Sequence, residues 1–325
     1  MSSADFLVLQ LKVWFVRLIF YTTGCLRSLL GKTEYTKFLP QRIFSIPSTT
    51  SARKIRINVY EPKNFDKNKR YPVRLNFHGS GFMISMLGTD GDFCHLVSQR
   101  AGAIVLDCDY AKSPEYPFPA APNDVRDIVA HVTANREGYF DVSRITIGGF
   151  SAGGTLALTA GVDQPKGTLK GVVVFYPCVD LSLNTAIQAP PPVSEGNTNP
   201  IPPWFNKLVS SSYTPHGTDM NDPRLSPVNT PSTTLPEHVL MIVCAEDPLQ
   251  YDAVEYAKRL KKEGVKIILK ELAKVVHAWD KTAQEGTLGG IAKRDSYEAA
   301  AGMLKLIYEY GLHALLSVQY SFFEP

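Results

Sequence analysis

From residue 53 onward the apolar positions fall into short runs separated by helically spaced stretches. Runs rich in β-branched residues at 53–60 (RKIRINVY), 71–77 (YPVRLNF), 103–108 (AIVLDC), 143–147, 171–176 (GVVVFY), 238–244 (HVLMIVC) and 265–271 (VKIILKE) predict strands. Apolar spacing near 3.6 at 121–136, 152–162, 252–263 and 295–316 predicts helices. Such alternation implies an α/β fold with a mostly parallel sheet and helices on both faces, in which ligands gather at the carboxyl ends of the strands. Residues 180–236 break the rhythm. They carry eleven of the 23 prolines, with Trp204 and Phe205 among few long apolar runs, and are too long for a plain connection, so an inserted cap is expected there.

The most apolar stretch is 6–21. Asp5 stands where a secretion signal would carry positive charge, and Lys12 and Arg17 interrupt the run before it reaches the roughly 20 residues of a membrane span. Two readings stay open: a helix packed on the rest of the chain, or an interfacial helix giving peripheral membrane contact through residues 6–30. The expected division is an N-terminal cap region at 1–45 and one domain at 46–325 with the inserted segment at about 180–236.

Candidate chemistry centres on Ser151. GFSAG at 149–153 is a GxSxG between a strand pattern and a helix pattern, the context in which this turn lifts a strained serine clear of the sheet. Gly149 and Gly153 let strand and helix backbones approach. A serine hydroxyl is a poor nucleophile at neutral pH and needs a base, an orienting acid and a holder for the oxyanion. In sheets of this type the acid and base follow the serine in chain order. Asp247 comes directly after the strand at 238–244 and His277 after the strand at 265–271. Glu246, next to Asp247, is the one rival acid, and the preferred reading of it is a solvated surface carboxylate. HGSGF at 78–82, after the strand at 71–77, suits an oxyanion loop of the HGGG type with Ser80 in the middle position, completed by the N–H of Ala152.

The remaining composition narrows the field. A net charge of +3 over 325 residues, without basic blocks, argues against a nucleic-acid partner. Cys25, Cys94, Cys108, Cys178 and Cys244 are odd in number, widely spaced and without any CxxC, so they read as thiols in a reducing, cytoplasmic compartment and not as a disulfide framework or a metal site.

Taken together, HGSGF (78–82), DYAKSPEYPFPA (109–120), GFSAGG (149–154), DPRLSP (222–227), AEDPL (245–249) and VHAW (276–279) resemble, in order and spacing, the hormone-sensitive-lipase-like branch of the α/β-hydrolases over about residues 55–317. The resemblance implies carboxylic-ester hydrolysis through an acyl-enzyme without a cofactor or metal. Ser151 would be nucleophile, His277 base and acid, and Asp247 the orienter. Ser80, Gly81 and Ala152 would be oxyanion donors, and His78, Tyr110 and Glu115 would brace the oxyanion loop. Two departures stand out: Phe150 replaces the usual acidic residue before the nucleophile, and Tyr251 stands where a second Asp is common. The expected substrate is a small-to-medium apolar ester, with secondary metabolites among the candidates. Same-fold elimination, cyclisation or acyl transfer is the alternative. A non-catalytic small-ligand receptor is disfavoured because His277 is present. A homodimer is left open.

Overall fold

A computed structural model describes residues 3–29, 37–182, 191–195, 197–198 and 201–310. Parts of the expected inserted segment (183–190, 196, 199–200) and the end of the helix expected at 295–316 lie outside them. In chain order the elements are α1 (Ser3–Leu29), β1 (Arg42–Pro47), β2 (Lys54–Tyr60), β3 (Tyr71–Phe77), α2 (Gly91–Ala101), β4 (Ile104–Cys108), α3 (Ala120–Ala134), β5 (Phe140–Phe150), α4 (Ala152–Thr159), β6 (Leu169–Phe175), α5 (Pro203–Tyr213), β7 (His238–Cys244), α6 (Gln250–Lys262), β8 (Lys266–Leu272) and α7 (Leu288–Tyr310). The eight strands form one sheet in the order β1-β2-β4-β3-β5-β6-β7-β8. β1 and β2 pair antiparallel, as do β2 and β4, and every later neighbour is parallel.

The central strands read as unbroken apolar runs because both faces are covered, and successive side chains point to opposite faces. Val172 and Val174 join the core on one face, whereas Val173 and Phe175 join the core on the other; Val239 and Met241 are split from Leu240 and Ile242 in the same way. One core lies under α3, α4 and α6, and the second lies under α2 and α7.

Three elements, β1, α2 and α5, were not among those expected from the sequence. β1 pairs with β2 from Arg42↔Val59 to Pro47↔Lys54, so residues 42–45, expected in the N-terminal cap region, belong to the sheet. The strand is a mostly exposed edge ending in proline, which leaves no buried run to read. α2 was also unexpected; its sequence GDFCHLVSQRA is polar on average, and only Phe93, Cys94, Val97 and Ser98 bury beyond its first glycine. α5 gives the proline-rich segment a helix of its own, entered through Pro202 and Pro203, where a missing N–H costs nothing.

α1 lies against the body through Leu9, Val13 and Val16, all buried. Full burial of such side chains contributes about 1.5–3 kcal/mol each. Arg17 fixes the contact, donating to the Met83 and Ser113 carbonyls at 2.8 Å and pairing with Glu115 at 2.7 Å. The Phe20 ring sits 6.5 Å from that of Phe205 on α5. Among the described residues, no helix is long and apolar enough to cross a membrane.

Candidate active site

The serine turn is built by two close approaches. β5 ends at Phe150, Ser151 takes φ 50° and ψ −119°, and α4 starts at Ala152. A positive φ is strained for any residue but glycine, and it is held here because Ser151 N–H bonds to the Phe175 carbonyl at 2.9 Å while Thr155 N–H caps Ser151 O at 3.0 Å. A Cβ on Gly149 would come within 2.1 Å of the Phe77 carbonyl oxygen, and one on Gly153 within 1.9 Å of the same atom. Any larger residue at either position therefore pushes the turn off β3. We expect Gly153→Ala to destabilise the fold by about 3 kcal/mol, the upper end of overpacking costs, and to lose most turnover. Urea unfolding with residual activity measures both, and a wild-type midpoint would sink this account of the turn.

The structure brings the three residues singled out for acid-base work into one line. His277 Nε2 is 2.9 Å from Ser151 Oγ, and His277 Nδ1 is 2.6 Å from Asp247 Oδ2. With Asp247 ionised, Nδ1 carries the proton and donates to the carboxylate, which leaves Nε2 to accept from the serine hydroxyl. Asp247 lies on the turn after β7, and Leu249 N–H donates to its second oxygen at 2.9 Å. Glu246 faces elsewhere. Its carboxylate accepts from Ser194 N–H at 3.1 Å, from the Ser194 hydroxyl and from Asn197 Nδ2 at 2.7 Å, and these bonds hold its pKa below the usual range. It anchors residues of the inserted segment instead of sitting as a solvated surface carboxylate, and it makes no bond to His277.

The loop after β3 runs beside the turn. Gly79 is close enough that a Cβ there would touch Ser151 Cβ at 3.4 Å. Gly81 has φ 53° and lies against the Phe205 ring, so α5 closes over the loop. Among the described residues, the N–H groups of Ser80, Gly81 and Ala152 have no hydrogen-bond acceptor. The Ser80 hydroxyl braces the loop. Its Oγ accepts from Phe82 N–H at 2.8 Å and lies 2.6 Å from Tyr110 Oη. Tyr110 spends its one proton on the His78 carbonyl at 2.7 Å, so Ser80 donates to Tyr110.

Of the expected bracing residues, His78 and Tyr110 are at the loop. Their rings stack at 4.8 Å, and His78 Nε2 lies 3.3 Å from Asp109 Oδ1. Burial pushes the Asp109 carboxyl up, but Lys112 and His78 outweigh it and hold the group well below its ordinary pKa. Glu115 is different. Its carboxylate takes bonds from Arg17 and from Trp14 Nε1 at 3.0 Å, so it secures α1 and makes no direct contact with the loop. The long-range partner on a distant helix is what sequence spacing could not reveal.

A cavity of about 540 Å³ opens above Ser151 and His277. Phe20, Ile84, Met86, Ile201, Phe205 and Val276 make its walls largely apolar. A smaller pocket of about 70 Å³ meets it at Ser151 and runs toward Cys178 and Leu181.

Sequence reading missed the support behind His277. The Tyr176 ring stands edge-on to the imidazole at 4.7 Å, and its hydroxyl donates to Asp280 at 2.6 Å. Tyr297 donates to the other oxygen of Asp280 at 2.7 Å, and Lys281 lies 2.8 Å from it and 2.6 Å from Asp90. Burial would push the Asp280 carboxyl up, yet Lys281 and the two tyrosine hydroxyls keep it below its ordinary pKa. Burial opposes the charged form of Lys281 as well, and Asp280 and Asp90 raise it beyond its usual value. Lys281 Nζ lies 3.8 Å from the centre of the Phe150 ring, which stacks on Phe175 at 4.5 Å. The departure at Phe150 therefore leaves an aromatic face under a cation whose charge Asp90 and Asp280 meet. Only VHAWDK at 276–281 hinted at this: it places Asp280 and Lys281 within a few residues of His277.

The model of the α/β-hydrolase fold family matches residues 74–281, which hold the serine turn, the loop at 78–82, Asp247 and His277. The chain belongs to the α/β-hydrolase family, in its hormone-sensitive-lipase-like branch. This α/β-hydrolase is 27% identical to esterase LipI of Mycobacterium tuberculosis, across 73% of the chain and 75% of that protein. It is 26% identical to an ethyl acetate hydrolase of Pseudomonas putida, across 71% of the chain and 73% of the relative. Among solved structures, an esterase of Pyrobaculum calidifontis superposes with a TM-score of 0.76 and 25% identity, covering 95% of this chain and 99% of the other.

Proposed function

We propose that this carboxylic-ester hydrolase works through an acyl-enzyme on Ser151, taking small-to-medium apolar esters. The observation that carries the reading is the unbroken line of hydrogen bonds from Ser151 through His277 to Asp247 at the floor of an apolar cavity. His277 Nε2 takes the serine proton as Oγ attacks the ester carbonyl, and Asp247 holds the imidazole in the tautomer that leaves Nε2 free and then stabilises the imidazolium. The N–H groups of Ser80, Gly81 and Ala152 receive the developing oxyanion, because fixed donors in a water-poor site favour charge that appears only in the transition state. His277 next returns its proton to the departing alcohol. Water then repeats the sequence on the acyl-enzyme and frees the acid.

The walls set the substrate. With Phe20, Ile84, Met86, Phe205 and Val276 around the serine, an apolar ester gains by leaving water, whereas a charged one loses hydration that Lys281, a lining residue already engaged by Asp90 and Asp280, does not replace. The test is turnover of p-nitrophenyl acetate and butyrate by the wild type and by Ser151→Ala. Release of nitrophenol by the wild type with equimolar acid production supports hydrolysis, and equal rates for the two proteins would overturn the assignment of Ser151.

A further inference from the structure

The outer face of α1 is exposed and apolar, and nothing in the site's chemistry accounts for it. At 100° per residue, Leu7, Leu11, Trp14, Phe15, Ile19 and Tyr21 spread over an arc of about 160°, and all are exposed, Phe15 by 64% and Tyr21 by 72%. Leu9, Val13 and Val16, which dock the helix on the protein, take only the opposite arc of about 60°. α1 is thus apolar on two faces, and the wider one is open. Water-facing apolar patches of this extent mark a surface that something else covers. Trp204, 57% exposed at the start of α5, stands 5.9 Å from the Phe205 ring, which in turn faces Phe20 of α1 at 6.5 Å.

We infer that this face of α1, with Trp204, seats the hydrolase on the surface of a lipid layer bearing anionic headgroups. Three observations favour lipid over a second copy of the chain. An arc of about 160° is far wider than the narrow seam by which one helix pairs with another, but it matches a helix lying half immersed in an interface. The exposed side chains include Trp14, Tyr21 and Trp204, whose amphipathic rings suit the boundary between headgroups and acyl chains. Lys12 flanks the arc on α1 and Lys207 stands one turn beyond Trp204 on α5, both exposed, while the nearby carboxylate of Glu115 is already paired with Arg17.

The cavity meets α1 on its docking side, since at 100° per residue Phe20 falls within the arc of Leu9, Val13 and Val16. Phe20 is 42% exposed and at the same time lines the cavity opposite Phe205. Binding itself depends on the surface and not on the catalytic reading, so Ser151→Ala binds as the wild type does.

Co-sedimentation of the full chain with phosphatidylcholine vesicles containing a minority of phosphatidylglycerol tests the inference. The wild type is expected in the pellet. The triple change Leu11→Asp, Phe15→Asp, Ile19→Asp is expected to lower the bound fraction tenfold or more, with unchanged melting and unchanged p-nitrophenyl acetate turnover. Lys12→Glu should weaken binding to these vesicles and leave binding to pure phosphatidylcholine nearly as it was. Should the triple variant misfold, the wild type still decides: vesicles should shift Trp fluorescence to shorter wavelength, and lipid-borne quenchers should reduce it, because Trp14 and Trp204 are exposed while Trp279 is buried. A wild type that stays in the supernatant with unchanged fluorescence overturns the inference. So does a concentration-dependent dimer that the triple variant abolishes.

Discussion

Ser151→Ala and His277→Ala are each expected to lower kcat for ester hydrolysis by about 10⁴-fold or more, because residues that act as one unit lose nearly everything when one is removed. The fold should persist. Ser151 contributes only a small hydroxyl, bonded to His277 at 2.9 Å, and the backbone bonds that hold the turn remain. Asp247→Asn should cost about as much, since an amide in place of the carboxylate favours the tautomer with its proton on the wrong nitrogen. Glu246→Gln separates the two acids. Its bonds run to Ser194 and Asn197, and Asn197 lines the cavity, so the change should move KM more than kcat. Steady-state kinetics with matched melting curves provide the measurement. A dead Glu246→Gln beside an active Asp247→Asn would transfer the acid's role to Glu246, whatever the distances say.

The parts of this fold that the sequence made legible are those whose physics is local. A strand buried on both faces must be apolar throughout, and the runs around Val172–Val174 and Val239–Val243 reveal this without any partner in view. GFSAG and HGSGF are legible for a related reason: close backbone approach excludes side chains at fixed positions, and glycine records the exclusion. What remained hidden depends on distant contacts. β1 is an edge with little to bury. α7 begins at Leu288, earlier than its apolar spacing implies, because Gly289 and Gly290 mask its first turn. Tyr176 is the clearest case at the site. It follows a strand and precedes a proline, as an ordinary core residue would, and only the fold carries Asp280 to its hydroxyl and His277 to its ring edge. Glu115 shows the converse, since its motif suggested the oxyanion loop while its actual partner is an arginine 98 residues earlier in the chain.

Ser80 offers the second large effect and a sharper separation of roles. Ser80→Pro removes the main-chain N–H proposed to receive the oxyanion, and loss of one such donor typically lowers kcat by about 10² to 10³. Ser80→Ala keeps that N–H and removes the hydroxyl, which accepts from Phe82 N–H and donates to Tyr110. Phe82 is 2% exposed, so its N–H is left buried without an acceptor, at a cost of about 1–3 kcal/mol. Ser80→Ala should therefore lose stability and keep most of its kcat, the reverse of what incidental surface hydroxyls do. Tyr110→Phe should act through the same chain, since it frees the His78 carbonyl and deprives the Ser80 hydroxyl of its acceptor. Circular dichroism and thermal melting must accompany the kinetics of the proline variant, whose ring could disturb the turn formed by Met83 and Ile84 N–H on the Ser80 carbonyl. If Ser80→Ala lost as much kcat as Ser80→Pro while Tyr110→Phe did not, bracing could not explain the loss. The hydroxyl itself would then be acting on the substrate, and elimination or acyl transfer would account for the site better than plain hydrolysis.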